Sequence, residues 1–291
     1  MKSYLDKCQK NISLAPYTTL KIGGNAEYFF EPENIDDLAT FIKDKPQDIP
    51  VTILGEGSNI LVRDGGVKGI IIRLNKLSNV EVCDDEILAQ AGASSGKVSR
   101  AAREAGLKGV EFLCGIPGSV GGALAMNAGA YGYQTADNLI SVNVITNAGE
   151  IKILSPQEIG FEYRKTGLPN GWIFVSATFK LEQGNKDEIR DRMRKINRDR
   201  STSQPLNKPS SGSWFKNTED QKAWQITDKA GCRGMQVGNA QVSEKHSNFF
   251  VNLGGATAKD MENLSEKVEK QIQEKLGLTM HREVKIIGDA V

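Results

Sequence analysis

Two stretches of this chain expose main chain where most sequences carry side chains. In "LGEGSNILV", residues 54–62, Gly55, Gly57, Ser58 and Asn59 leave successive N–H groups unshielded between Leu54 and Ile60, as a phosphate cradle requires. Alone, such a loop is as readily a tight turn. It is not a dinucleotide fingerprint of the Rossmann kind, because Ile60 stands where the third glycine belongs and a strand replaces the expected helix. The second stretch, "GIPGSVGGALAMNAGAYG" over 115–132, interleaves Gly115, Gly118, Gly121, Gly122, Gly129 and Gly132 with Pro117, Ser119 and Asn127. So many glycines weaken any strand or helix they enter, and close approach of backbone to a ligand is the compensation that fits. A flexible linker would be polar, whereas Ile116, Val120, Leu124 and Met126 are spaced to pack.

The elements around these loops follow from local signals. Asn34 before Asp36, Asp37 and the Leu38/Phe41/Ile42 stripe predicts a helix over 35–44, closed before Pro46. "VTILG" and "GIIIRL" read as buried strands flanking the first loop. Hairpins are expected around Asp84-Asp85 and around Asn147–Glu150, with a helix from Ser94 to Ala105 ended by Gly106. Ser155 and Glu158 form a capping box, "WIFVSATFKL" reads as a strand, and Lys186–Arg200 as a charged helix. Pro205 and Pro209 in a Ser-rich stretch place a domain boundary near 185–205. Beyond it, Thr257 opens a long amphipathic helix, and "REVKIIG" is the last strand.

Composition narrows the chemistry. With Lys+Arg 37 against Asp+Glu 36, the net charge of +1 offers no global attraction to nucleic acid or anionic lipid. The four cysteines are far apart and there are two histidines, too few for a zinc cage, so no metal is expected. No apolar run approaches the ~20 residues of a membrane span and "MKSYLDKCQK" has no apolar signal core, so a cytoplasmic protein is expected. The basic run "RDRMRKINRDR" is interleaved with Asp191 and Asp199 and follows Glu188, which favours a solvated helix over a nucleic-acid surface.

The two glycine loops, in this order and separation, resemble the FAD-binding fold of the vanillyl-alcohol-oxidase and p-cresol-methylhydroxylase type. Within that group the chain resembles the UDP-N-acetylenolpyruvoylglucosamine reductases through "NISLAPYTTLKIGGNAEYF", "ILGEGSNILVRDGGVKGIII", "GVEFLCGIPGSVGGALAMNAGAYG", "FEYRKTGL", "SGSWFKN" and "HREVKIIG". The resemblance implies an α+β protein. Residues 1–185 would form the FAD-binding domain, as two α+β subdomains of about 1–77 and 78–185, and residues 186–291 a C-terminal α+β substrate-binding domain. It implies non-covalent FAD against Ile22, Gly23, Leu54, Gly55, Gly57, Ser58, Asn59, Ile60, Gly115, Pro117, Gly118, Ser119, Gly121, Gly122, Asn127, Ala128 and Gly129. It also implies the shorter subtype, since no segment between Lys180 and Ser213 could hold the tyrosine-bearing insertion.

The implied reaction is NADPH-dependent reduction of UDP-N-acetylglucosamine enolpyruvate to UDP-N-acetylmuramate in peptidoglycan precursor synthesis. Hydride addition to the enolpyruvyl terminal carbon drives negative charge onto the neighbouring carboxylate, which a fixed cation and a hydrogen-bond donor can stabilise. On the family pattern Arg164 and Glu283 take these parts, Ser213 is the proton donor, and Lys216 and Asn217 bind substrate. Thr166, Thr218 and Trp214 depart from the pattern, and Trp214 is bulky for a neighbour of the proton donor. The partners implied are small molecules, with no nucleic acid, no membrane and a monomer or weak oligomer. The rival readings are an FAD-dependent oxidase of the same fold group and a nucleic-acid module; the first loop has no histidine for covalent FAD.

Overall fold

A computed structural model describes residues 4–291, which pack as two compact units. The first takes residues 4–9, 29–56 and 69–199; the second takes 10–28, 57–68 and 200–291. The late division, at 199/200, falls within the joint expected near 185–205, and the second unit also takes in two early segments, 10–28 and 57–68. Two early segments belong with the C-terminal third, because the strand Ile60–Val62 pairs in parallel with the final strand Lys285–Ile287.

The first unit is built on a five-stranded antiparallel sheet in the order Ile151–Leu154, Leu139–Ile145, Ile173–Lys180, Glu86–Gln90, Val80–Cys83. Its central strand Ile173–Lys180 is buried along most of its length, which is why that stretch is nearly continuously apolar, while the edge strand Ile151–Leu154 is exposed. A second strand pair sets Val51–Leu54 parallel to residues 70–73. The helices start where hydroxyl and amide caps stand. Asn34 accepts the Asp37 N–H at the head of α1, Ile35–Asp44, and Ser94 accepts the Lys97 N–H at the head of α2, Ser95–Ala105, which Gly106 terminates. Ser119 caps the six-residue α3, Val120–Ala125. Ser155 and Glu158 form the expected box on α4, Pro156–Ile159, and α5 spans Lys186–Ser203. Ile87, Val98, Phe112, Leu113, Leu124, Val142 and Phe179 share one core, each such side chain contributing roughly 1.5–3 kcal/mol by leaving water.

In the second unit a four-stranded antiparallel sheet runs in the order Ser210–Ser213, Phe249–Asn252, Ala240–Val242, Gln236–Val237. It is accompanied by α6, Ala223–Lys229, and α7, Ala258–Leu276. The apolar stripe of α7, Met261, Leu264, Val268 and Ile272, is buried with Leu20, Leu61, Phe215 and Phe250. Its first turn is held twice over: Thr257 and Asp260 form a capping box, and Asp64 accepts the N–H groups of Ala258 and Lys259 at 3.0 and 3.1 Å. Arg63 beside it pairs with Glu262 at 2.8 Å, so the early segment 57–68 clamps this helix as well as the last strand. Among the described residues no helix is long and apolar enough to cross a membrane.

Candidate active site

In the first unit the two glycine stretches meet. A side chain at Gly55 would stand 2.8 Å from the hydroxyl of Ser119, so the first loop approaches the second only because residue 55 has none. Ser119 is buried and its hydroxyl accepts the Gly122 N–H; Gly118 before it adopts φ +129°, a conformation side chains disfavour. Among the described residues no hydrogen bond engages the N–H groups of Gly118 and Ser119, which leaves two main-chain donors side by side.

The remaining glycines of the segment divide their work. Gly121 donates its N–H to the Ala91 carbonyl at 2.8 Å, and a Cβ there would meet the Ala91 Cβ at 3.0 Å. Gly129 lies in a small hairpin with Tyr133–Gln134, where a Cβ would stand 2.7 Å from the Tyr133 carbonyl oxygen. Both positions serve close packing of the chain on itself. The side chains of Leu54 and, in the second unit, Ile22 are core, and Gly23 is pressed against Val62, whose Cβ a side chain would approach to 2.9 Å. What these residues can offer a cofactor is main chain.

Asn127 is buried and its amide is fully committed inward. Its nitrogen donates to the Gln134 side chain at 2.9 Å and to the Glu162 carbonyl at 3.2 Å, and its oxygen accepts the Ala136 N–H. Glu162 and Lys165 pair across a tight turn whose second corner is Arg164, at φ +57°. Arginine is unusual there, since such corners favour glycine or asparagine. The guanidinium lies over the Tyr163 ring, 5.2 Å from its centre. The glycine segment thus fixes the base of the turn that presents Arg164.

The second unit gathers Ser213, Lys216 and Glu283 onto two paired segments. Gly212, at φ +76°, sits in a β-bulge between the Ser210↔Val251 and Ser213↔Phe249 pairs, which re-aims the strand at Ser213. Trp214 then turns into the core: fully buried, it stacks on Phe250 with ring centres 4.4 Å apart, and its indole N–H donates to the Ser265 hydroxyl at 2.7 Å. Its bulk is therefore spent away from the half-buried Ser213. Residues 214–216 run antiparallel to 281–283, through Glu283 N–H to the Trp214 carbonyl and Lys216 N–H to the His281 carbonyl, each 2.8 Å. Asn59 of the first loop donates its side-chain amide to the Glu283 carbonyl at 3.2 Å, and its main-chain carbonyl accepts the Lys285 N–H at 3.0 Å. Asn217 is exposed, and its oxygen accepts the Ala223 N–H at the head of α6, leaving only its nitrogen for a ligand.

Two supports carry no motif. Buried Asn248 exchanges both side-chain hydrogen bonds with the main chain of Phe215, at 2.9 Å each, and its carbonyl accepts the Trp214 N–H. Behind them Ser265 donates to Glu269 at 2.8 Å, and Glu269 receives Arg282 at 2.6 and 3.1 Å, a pairing that raises the Arg282 pKa. The run Trp214–Ser265–Glu269–Arg282 ties together the residues that adjoin Ser213 and Glu283. Arg282 lies in the quoted "HREVKIIG", but nothing local to Asn248 or Glu269 advertises a role.

Known proteins resemble this chain along most of its length. A family model described as UDP-N-acetylenolpyruvoylglucosamine reductase, C-terminal domain, matches residues 204–287, and one described as FAD binding domain matches residues 26–155. The UDP-N-acetylenolpyruvoylglucosamine reductase of Paramagnetospirillum magneticum is 48% identical over 94% of this chain and 90% of its own length. That of Rickettsia bellii is 42% identical over 96% and 93%. The crystal structure of the Thermus caldophilus reductase superposes with a TM-score of 0.85 at 37% identity, covering 97% of this chain and 99% of that one. The expected α+β architecture is borne out, an FAD-binding fold of the vanillyl-alcohol-oxidase type followed by the reductase C-terminal domain. The chain belongs to the UDP-N-acetylenolpyruvoylglucosamine reductase family.

Proposed function

We propose that this chain is the FAD-dependent enzyme that reduces UDP-N-acetylglucosamine enolpyruvate to UDP-N-acetylmuramate with NADPH, a step of peptidoglycan synthesis. The observation that carries the assignment of roles is the pairing of residues 214–216 with 281–283, which sets Ser213 and Glu283 on neighbouring strands with Asn59 of the glycine loop hydrogen-bonded to the second.

The fit to FAD rests on the cradle in the first unit. Two adjacent main-chain donors, at Gly118 and Ser119, have no partner among the described residues, and a side chain at Gly55 would collide with the Ser119 hydroxyl, an arrangement suited to a diphosphate. We assign Gly55, Gly118 and Ser119 to that group, with Ser58 and Asn59 as further cofactor residues. FAD, when bound, supplies the hydride taken from NADPH. Arg164 balances the negative charge that gathers on the substrate carboxylate as the terminal carbon gains that hydride, through its permanent charge and forked donors. Glu283 in its protonated form donates a hydrogen bond to the same carboxylate, and the Ser213 hydroxyl gives its proton to the adjacent carbon, to be replenished from solvent. Lys216 meets the diphosphate of the sugar nucleotide as a point charge. We assign cofactor binding to residues 1–185 and substrate binding chiefly to 186–291, in a cytoplasmic monomer or weak oligomer.

The test is spectroscopic. Purified protein should be yellow, lose its colour with NADPH under anaerobic conditions, and regain it on addition of the enolpyruvyl nucleotide. Recolouring by oxygen alone, with small alcohols or sugars able to bleach the protein instead of NADPH, would favour the oxidase reading. FAD should leave intact on denaturation, since the first loop offers no histidine for a covalent link.

A further inference from the structure

No role in the proposed reaction falls to the basic run of α5, yet part of it lines an open pocket of about 300 Å³ in the first unit. Arg100 and Arg103 of α2 line it from one side, Arg190, Arg194 and Asn197 of α5 from the other, over Cys114. Gly96 belongs to the same wall, so each helix contributes positions i, i+4 and i+7, one continuous stripe. Four guanidiniums around one space repel one another unless something negative enters. Three are partly answered by carboxylates outside the lining: Arg103 by Glu104 at 3.3 Å, Arg190 by Asp187 at 2.8 Å, Arg194 by Asp191 at 3.4 Å. The Arg100 guanidinium makes no ion pair or hydrogen bond among the described residues. Gly96 leaves the space beside its guanidinium open, since a side chain there would come within 3.3 Å of it.

We infer that this cavity binds a small anion bearing phosphate or diphosphate, at residues given no role in the cofactor or substrate sites. Guanidinium forks match phosphate oxygens in pairs, Asn197 adds a neutral donor, and the volume stands at the lower end of small-molecule sites. A nucleic-acid strand fits less well, because Asp187, Asp191 and Glu188 stand on the same helix.

The test is calorimetric titration of FAD-loaded protein with inorganic pyrophosphate, in a Lys216→Ala background that removes the cation assigned to the nucleotide diphosphate. Adding Arg100→Gln and Arg194→Gln, both exposed, should weaken binding roughly tenfold or more, and high salt should do the same to the parent. In the wild-type background the same pair of substitutions should leave NADPH-dependent turnover unchanged. Equal pyrophosphate binding with and without the two arginines overturns the inference, as does binding of a fluorescent RNA oligomer by a protein that ignores pyrophosphate.

A different observation carries a second inference, which rests on the role given to Arg164. The geometry points to Asn127 as a positioning residue: its amide holds the Glu162 carbonyl at 3.2 Å, the residue from which the left-handed Arg164 corner springs. Asn127→Ala should lower kcat by roughly ten- to a hundredfold, the cost of misplacing a charge by about 1 Å, while FAD content and bleaching by NADPH persist. The double variant Asn127→Ala/Arg164→Ala should be no slower than Arg164→Ala alone, a non-additivity that a merely structural asparagine would not give. If Arg164→Ala turns over normally, the role of Arg164 fails. If Arg164→Ala is crippled while Asn127→Ala is not, or if the two losses add, the positioning role fails.

Discussion

Around Gly118 and Ser119 the first unit offers a ligand main-chain donors, and side chains are excluded by collision; around Ser213 and Glu283 the second unit offers side chains, and main-chain groups are consumed in holding them. The two regions tolerate change differently. A cradle of amides depends on the absence of atoms, so any added carbon damages it, whereas the strands at Ser213 depend on a network whose members can be removed one at a time.

Four substitutions or conditions sharpen that contrast. The largest effect is expected for Ser213→Ala, which should cut turnover by about 10²–10⁴-fold while NADPH still bleaches the flavin, measured by stopped-flow absorbance of each half-reaction. An equal loss in the NADPH half-reaction would move Ser213 out of proton transfer. Next, Gly118→Val forces a side chain into φ +129°, a strain of roughly 1–3 kcal/mol, and FAD retention through gel filtration should drop while the isolated fold survives. Retention equal to wild type would mean that the cradle is not where the diphosphate rests.

A smaller effect is expected for Trp214→Phe, which keeps a ring against Phe250 and loses the bond to Ser265. The cost should be about 1 kcal/mol and a few degrees in Tm, with kcat falling several-fold and FAD content unchanged. An unchanged kcat would separate the network from catalysis. The smallest is a pH effect at His246, whose Nδ1 accepts the Asn248 N–H at 3.3 Å and whose pKa is held below the ordinary value by burial. The unfolded imidazole binds its proton at higher pH than the folded one, so this contribution to stability is present above pH ~6.5 and is lost as pH falls through the folded value. His246→Gln should flatten that part of a denaturation-midpoint profile against pH; an unaltered slope would remove His246 from the account.

Much of the fold was legible because its signals are local. Asn34, Ser94 with Gly106, Ser155 with Glu158, and Thr257 with Asp260 all end helices where the sequence places them. Glycine was legible as a demand for closeness, yet not as closeness to what: Gly118 frees main-chain donors, while Gly121 and Gly129 pack against the chain itself, and one residue type meets both needs. The bulge at Gly212 and the inward turn of Trp214 depend on the partner strand and on Ser265, far away in sequence. Asn248 and Glu269 have ordinary neighbours, so their place behind the site follows only from tertiary contacts.

The parallel pairing of residues 60–62 with 285–287 has a consequence for how the protein is made. Residues 60–62 are translated long before 285–287, so that strand stays without its partner until the later segment has left the ribosome. Closing so long a loop is entropically slow, which exposes the nascent second unit to aggregation or proteolysis for most of its synthesis. Excising residues 186–291 as a free-standing piece would strip α7 of Asp64 and the final strand of its neighbour, so this enzyme is not divisible into halves by a single cut.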